Sequence, residues 1–455
     1  MRWITRDKSF YQSLFKLAIP VALQNLITFS VNFADNIMIS SLGDAAVSGV
    51  FMGNQMQTLL QMLSGGVEGA LLVLAAQYWG KRDTASIRRI AAIGLHFSML
   101  FGAVLTLLCA LFPDSLIRLF STTDSVIDAG SEYLRIVCFS YIFFCVTQAL
   151  IAAMRSIEVA QIGMHVSLAS LFINIGLNYI LIFGKLGLPA LGIRGAAIAT
   201  VISRLAEMLI MIFYVGKIDK VLTLKLSDLF VSDRTLRRDF IRNGLPIIGG
   251  NIVWSVNMMA SSAILGRFSE SVTSAVSVAN TMNSLAYVTM NGMSAAVGII
   301  TGKTVGAGKT DLMKEYARTV QVLFLGVGLL TGSAVFLFRY PFVSLYAGIS
   351  PEAAACAISL ITVLAVSSVG TCYQAACLAG LVKAGGDVGF VFKNDTIFVF
   401  LVVLPSAMLA AHIGAPAWVV FACLKCDQIL KCIVAVVKIN SFNWMKNLTR
   451  DSSRS

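Results

Sequence analysis

The residues with the chemistry to carry a function lie inside apolar stretches of the sequence. Asp35 ends a polar stripe of Asn25, Thr28, Asn32 and Asp35, whose spacings of 3, 4 and 3 place them on one helical face. Asn and Thr alone would suit hydrogen bonding between packed helices. An aspartate adds a desolvation cost that packing does not require, so the stripe reads as functional. A second stripe, Ser167, Ser170, Asn174 and Asn178, has spacings of 3, 4 and 4, and Thr200 follows in the next apolar segment. One carboxylate among amide and hydroxyl oxygens suits a hard cation such as Na⁺, with Asp35, Asn174, Asn178 and Thr200 as ligands. It equally suits a proton carried by Asp35 itself.

Other ionisable groups are less clear. Asp427 stands four residues before Lys431 and two after Lys425, which fits an intrahelical pair or a role in coupling or substrate binding. Asp395, next but one to Lys393, reads as half of a solvated interfacial pair, with coupling or substrate binding as the alternative. Glu68, in the string GGVEGA, fits close packing or an acid facing an inner cavity. Arg204 and Glu207 are three residues apart and should pair while snorkelling toward the cytoplasm. Methionines such as Met52, Met56, Met258 and Met259 offer soft walls for flat hydrophobic cations, or simple packing filler.

Several chemistries are excluded. The nine cysteines lie mostly within apolar runs, and the CxxC of Cys423 and Cys426 has no second pair, so neither zinc nor a disulfide framework is supported. GAGKT at 306–310 matches only the tail of a phosphate-binding loop, because Lys303 stands where its first glycine belongs. No cofactor is expected beyond a transported ion.

The elements that hold these residues are set by the solvent. Hydrophobic residues make up 57% of the 455 and charged residues only 13%, and mean hydropathy is +0.81, which points to lipid. Twelve apolar stretches can cross a hydrocarbon core about 30 Å thick. They fall near 12–41, 46–79, 89–112, 132–154, 161–184, 193–216, 240–266, 272–302, 317–339, 353–382, 389–411 and 416–438. The first is too long for a signal peptide and reads as a retained span. The net charge of +12 suggests nucleic acid until the cations are placed. Of 35 Lys and Arg, 26 fall in loops on one side, 6 on the other and 3 inside spans, which predicts a cytoplasmic side bearing both termini. Nucleic acid is therefore not an expected partner. With a rise of about 1.5 Å per residue, Asp35 lies roughly 35 Å along its span and Asn178 roughly 25 Å. Thr200 lies roughly 10 Å below the outer surface, so all three belong to the outer half of the membrane.

The chain also repeats itself at an offset of 226 residues: Pro20 with Pro246, Asn25 with Asn251, Gly66 with Gly292, Gly80 with Gly306 and Gln148 with Gln374. Six spans per half is an even number, so both halves enter the membrane in the same direction. The expected architecture is all-α and polytopic, with two six-helix lobes related by a pseudo-two-fold axis along the membrane normal. The expected division is an N-lobe at 1–216, a basic cytoplasmic linker at 217–239, a C-lobe at 240–438 and a cytoplasmic tail at 439–455.

Taken together, LAIPVALQNLITFSVNFADNIMISSLG, AAQYWGKRD, NIGLNYILIFG, GIRGAAIATVISR and TGKTVGAGKTD resemble the multidrug and toxic compound extrusion (MATE) transporters of the multidrug/oligosaccharidyl-lipid/polysaccharide exporter superfamily. The resemblance covers nearly the whole chain. It implies alternating access coupled to Na⁺ or H⁺. It matches Asp35 to the family's first-span aspartate, Asn174 and Asn178 to its fifth-span polar pair and Thr200 to its sixth-span hydroxyl. Pro20 matches a proline whose bending is linked to coupling in some members. Asn178 stands where some members carry a second acid, which favours a single cation. Residues 244–266 lack the glutamate of sodium-binding branches.

The expected function is therefore an antiporter in the plasma (inner) membrane, acting as a monomer on small organic substrates. A lipid-linked precursor flippase of the same superfamily is the alternative. An embedded enzyme would need clustered His, Cys or paired acids at one depth, which the sequence does not offer.

Overall fold

The computed structural model describes residues 4–120, 123–225, 227–228, 233–346 and 350–450. Arg2 and Arg454 of the charge count, and parts of the expected linker and tail, lie outside the described residues. The helices, in chain order, are α1 (Lys8–Ser40), α2 (Asp44–Gly80), α3 (Thr84–Leu111), α4 (Pro113–Arg118), α5 (Asp124–Val137), α6 (Ser140–Ser156), α7 (Gln161–Phe183), α8 (Ile193–Phe213), α9 (Arg234–Leu265), α10 (Glu270–Gly306), α11 (Thr310–Ser344), α12 (Pro351–Gln374), α13 (Val388–Ile397), α14 (Leu404–His412), α15 (Ala417–Lys425) and α16 (Asp427–Asn440). Among the described residues there is no strand. In lipid each backbone polar group must be satisfied by the protein itself, and a helix does this within its own segment.

Among the described residues, ten helical stretches are long and apolar enough to cross a membrane, and α5 with α6, bent by 52°, makes an eleventh if the pair is one span. The expected span at 132–154 therefore starts earlier and is bent, and α5 is amphipathic, with Asp124, Asp128, Glu132 and Arg135 among its residues. The twelfth expected span, 416–438, is broken into α15 and α16 at Cys426. Lys425, Asp427, Lys431 and Lys438 make that stretch too charged to read as a simple apolar crossing.

Packing divides the chain into two compact units, Leu23–Ile248 and Met1–Ala22 with Gly249–Ser455. These do not coincide with the covalent halves of the repeat. The first part of α1 packs with the C-terminal unit, and the first part of α9 packs with the N-terminal unit. Each boundary falls two residues after a proline within its helix, Pro20 or Pro246, where the i→i−4 bond has no donor. The repeat also explains how each graft fits. A Cβ on Gly292 of α10 would lie 2.8 Å from Ala18 O and the Ala22 Cβ of α1, and a Cβ on Gly66 of α2 would collide with Ile248 of α9. Glycine at both equivalent positions lets backbones meet closely, as membrane helices do at small residues.

Each unit has its own core. In the N-terminal unit Val50, Leu60, Leu134, Tyr141 and Ala197 are buried together, and in the C-terminal unit Ala279, Leu360, Leu364, Val403 and Phe421 are. Large apolar side chains also point outward, including Phe172 at 68% exposure and Leu330 at 74%. Helices that are apolar all round need lipid to cover them.

Candidate functional site

The N-terminal unit assembles most of the expected cluster. α1 carries Asp35 five residues before its end, α7 carries Asn178 five before its end, and α8 carries Thr200 seven after its start. Successive spans alternate in direction, so these ends share one side, and the three residues lie about 7–11 Å from it. Asn178 Nδ2 donates to Asp35 Oδ1 and also to Asn174 Oδ1, the latter at 3.1 Å. Asn174 and Asn178 are buried, while Asp35 is partly so. The Thr200 hydroxyl donates to Ala196 O at 3.0 Å, one turn back. Beside it stands Tyr133 of α5, whose hydroxyl donates to Asn54 Oδ1 at 3.4 Å and lies within electrostatic reach of Asp35. Asn32, by contrast, is exposed and bonds none of these groups.

One atom of this cluster stands out. Asn178 Oδ1 is buried and accepts no hydrogen bond. Both amide hydrogens are committed, so the carbonyl is a free acceptor beside a carboxylate. An unsatisfied buried acceptor costs about 1–3 kcal/mol. A cation or a protonated carboxyl would use it. The donor set, one carboxylate with neutral oxygens, suits a hard monovalent cation or a proton.

Tyr133 and Arg204 are the residues that the sequence reading left out of this cluster. Tyr133 lies on α5, ahead of the 52° bend to α6. Arg204 does pair with Glu207, at 2.8 Å, as expected from their spacing. However, the pair does not snorkel to water: Glu207 is 4% exposed and the guanidinium lies 5.2 Å from the Phe144 ring centre. Arg204 is within electrostatic reach of Asp35 but is held by its own glutamate.

Deeper along the same unit, Ser64 donates to Glu68 Oε1 at 3.0 Å, and Arg155, within electrostatic reach of Glu68, donates to Gln24 Oε1 at 2.6 Å. Gln24 lies four residues beyond Pro20, which is buried inside α1. Glu68 therefore belongs to a polar network joining α1, α2 and α6, and is not held by glycine packing alone.

The C-terminal unit holds a different cluster. Lys431 Nζ lies 3.0 Å from Asp427 Oδ2 and 3.0 Å from Asp395 Oδ1. The expected intrahelical pair is present. The expected solvated pairing of Asp395 with Lys393 is not: Asp395 turns to a buried lysine on α16, because a buried ammonium with one carboxylate still has donors to satisfy. Gln428 Nε2 donates to both oxygens of Asp427, at 2.9 and 3.0 Å. Among the described residues, no three His, Cys, Asp or Glu side chains gather as a metal site.

An all-helical bundle of about a dozen apolar crossings, with one carboxylate poised among neutral oxygens, has the build of a membrane transporter. The MatE family model matches residues 20–180 and 246–409, once in each repeat, and the chain belongs to that family. Among curated relatives, the probable multidrug resistance protein NorM of Thermotoga maritima is 26% identical over 74% of this chain and 72% of its own. The uncharacterized transporter YisQ of Bacillus subtilis is 25% identical over 91% of both chains. A crystal structure of MATE in the bent conformation shares the fold with a TM-score of 0.86, at 20% identity, over 96% of this chain and 98% of that one.

Proposed function

We propose that the protein is a secondary active antiporter that exports organic, amphiphilic or cationic compounds from the cytoplasm in exchange for Na⁺ or H⁺. The relatives that carry the name multidrug resistance protein support the export of such compounds. The observation that carries the coupling half is the Asp35–Asn178–Asn174 cluster, with its unpartnered carbonyl in the buried end of the N-terminal unit.

Asp35, Asn174, Asn178 and Thr200 hold the driving ion, which is cargo and not a resident metal. The Asn178 amide can act as the sensor of that ion. With Asp35 charged and alone, the NH₂ group faces the carboxylate and neutralises part of its charge. When Na⁺ or a proton arrives, rotation of the amide exchanges Nδ2 for Oδ1. The free carbonyl then ligates the cation or accepts the proton that Asp35 carries. That rearrangement ties α1 to α7, and the missing hydrogen bond at Pro20 lets the far part of α1 respond. Ion binding and substrate binding exclude each other, and each resets the other.

In this reading the repeats 1–216 and 240–438 are the two lobes of an alternating-access machine, working as a monomer in the plasma membrane with both termini cytoplasmic. Glu68, Asp395 and Asp427 are further candidates for coupling or substrate contact. The test is reconstitution of the purified chain in proteoliposomes with imposed Na⁺ or pH gradients and a panel of fluorescent organic cations. Gradient-driven uptake that Asp35→Asn abolishes is expected. Full gradient-driven flux in that variant overturns the role of Asp35.

A further inference from the structure

On the C-terminal unit two cavities adjoin. One, of about 650 Å³, is lined by Arg339, Thr362, Trp418 and Lys425 among others. The second, of about 1080 Å³, is a groove along α11, α12 and α16 with largely apolar walls. Val366 and Ile429 line both, so the two form one continuous surface. Its outer wall includes Leu337 at 70% exposure and Ile433 at 66%, side chains of the kind that lipid covers.

The cations at the head of this groove lack acid partners. Lys425 lies 5.7 Å from the Phe421 ring centre and, among the described residues, makes no hydrogen bond or ion pair. The carboxylate within its electrostatic reach, Asp427, is bonded to Lys431 and Gln428. Arg339 stacks on Phe336 and Tyr340, at 3.6 and 4.5 Å from their ring centres, and its hydrogen bond goes to the Phe336 carbonyl of its own helix. Lys425 stands eight residues into α15 and Arg339 five residues before the end of α11. These ends share a side, so the cations lie about 8–12 Å from it. Cations at the edge of the apolar spans without an acid partner favour an anion beside them.

We propose that this surface binds an anionic glycerophospholipid of the surrounding bilayer, with its phosphate between Lys425 and Arg339 and its acyl chains along the groove. The guanidinium matches phosphate geometry, and Trp418, half exposed beside the cations, occupies the interfacial level that indole prefers. Zwitterionic lipid would cover the walls equally, but its own ammonium offsets the phosphate, so the two basic side chains would be compensated only in part. The site lies within one unit and does not depend on the transport reading.

Trp418 supplies the probe. The full chain is reconstituted in phosphatidylcholine vesicles carrying a fixed fraction of dibrominated phosphatidylglycerol or dibrominated phosphatidylcholine, and the quenching lost in Trp418→Phe is taken as the signal. Phosphatidylglycerol should associate about fivefold more strongly than phosphatidylcholine for each engaged cation. Lys425→Gln should remove about one such factor, and Arg339→Gln with Lys425→Gln should abolish the preference. Equal quenching by the two lipids in the unaltered protein overturns the proposal without recourse to any variant. So does an unchanged preference in a folded double variant. Displacement by dodecyl phosphate as effective as by unlabelled phosphatidylglycerol also overturns it, in favour of a single-chain anionic amphiphile.

Discussion

The two units treat a carboxylate within their spans in opposite ways. In the N-terminal unit Asp35 meets an amide, and its nearest cation, Arg204, is held by Glu207. In the C-terminal unit Asp427 and Asp395 share Lys431, an ammonium built into the chain. A carboxylate that lacks a covalent counter-charge can exchange a mobile one, whereas a carboxylate with a tethered lysine has its cation permanently supplied. On the proposed function, ion exchange belongs to the N-terminal unit and a fixed charge balance to the C-terminal one.

The strongest way to break this contrast is at Asp35. Asp35→Asn is nearly isosteric, and its amide oxygen can still accept from Asn178, so the fold should be retained. Coupled transport should fall to background while the thermal midpoint of the purified protein moves little. A large loss of stability instead would mean that Asp35 is structural, like its counterparts in the other unit.

Lys431 should behave in the reverse manner. Lys431→Met leaves the buried Asp427 and the part-exposed Asp395 without a counter-charge, which should destabilise the C-terminal unit by about 3 kcal/mol. The triple replacement Asp395→Asn, Asp427→Asn and Lys431→Met removes all the charge together and should recover most of that loss, since neutralised clusters often equal the original in stability. Thermal unfolding in detergent measures both. If the triple variant also transports, the cluster is structural. A stable triple variant without transport would make it a second coupling site and end the contrast.

Pro20 tests the route between ion and helix at a smaller scale. Pro20→Ala restores a donor to the Lys16 carbonyl and should stiffen α1 at the unit boundary. Transport should slow severalfold with ion binding retained, because the substitution removes a bend point, of a kind worth about 3 kcal/mol in a helix interior, and touches no ligand. Unchanged transport rates would show that the far part of α1 moves without that break.

Much of this was legible in the sequence, for reasons that differ by residue. The stripes on α1 and α7 are periodic, so their meeting faces follow from spacing alone, and Asn174, Asn178 and Asp35 do meet. Asn32 shares that periodicity and is still exposed, because 3, 4, 3 spacing marks a face about a quarter of a turn wide and only part of it meets α7. Tyr133 left no such signal: it lies ahead of a 52° bend that follows from tertiary packing. Asp395 was misread because its sequence neighbour Lys393 was nearer in the chain than Lys431, and proximity across helices is not written in either segment. The prolines and glycines of the repeat mark where each unit takes in a helix end of the other half, but the exchange itself shows only in the packing.

A fourth carboxylate, outside the spans, sharpens the comparison by inverting it. Asp387 accepts from Lys438 at 2.7 Å and from Lys446 at 2.8 Å, two ammoniums on one carboxylate instead of two carboxylates on one ammonium. Burial opposes its charge, but the two lysines outweigh that and hold its pKa below the usual carboxylate value. A folded-state pKa depressed in this way contributes stability above the unfolded value, about 3.9, which is lost as pH falls through the lower folded one. The segment it anchors ends in Trp444, which is fully buried and donates to Ile439 O at 3.0 Å. Lowering the pH from about 5 downwards should therefore shift Trp444 fluorescence to the red, measured as the difference from Trp444→Phe. Asp387→Asn should remove that pH dependence and cost on the order of 1 kcal/mol at neutral pH, since Lys446 is half exposed and screened. A transition of the same size in the Asp387→Asn variant would place the titrating group elsewhere and leave the lysine clamp without a measurable share in holding the tail.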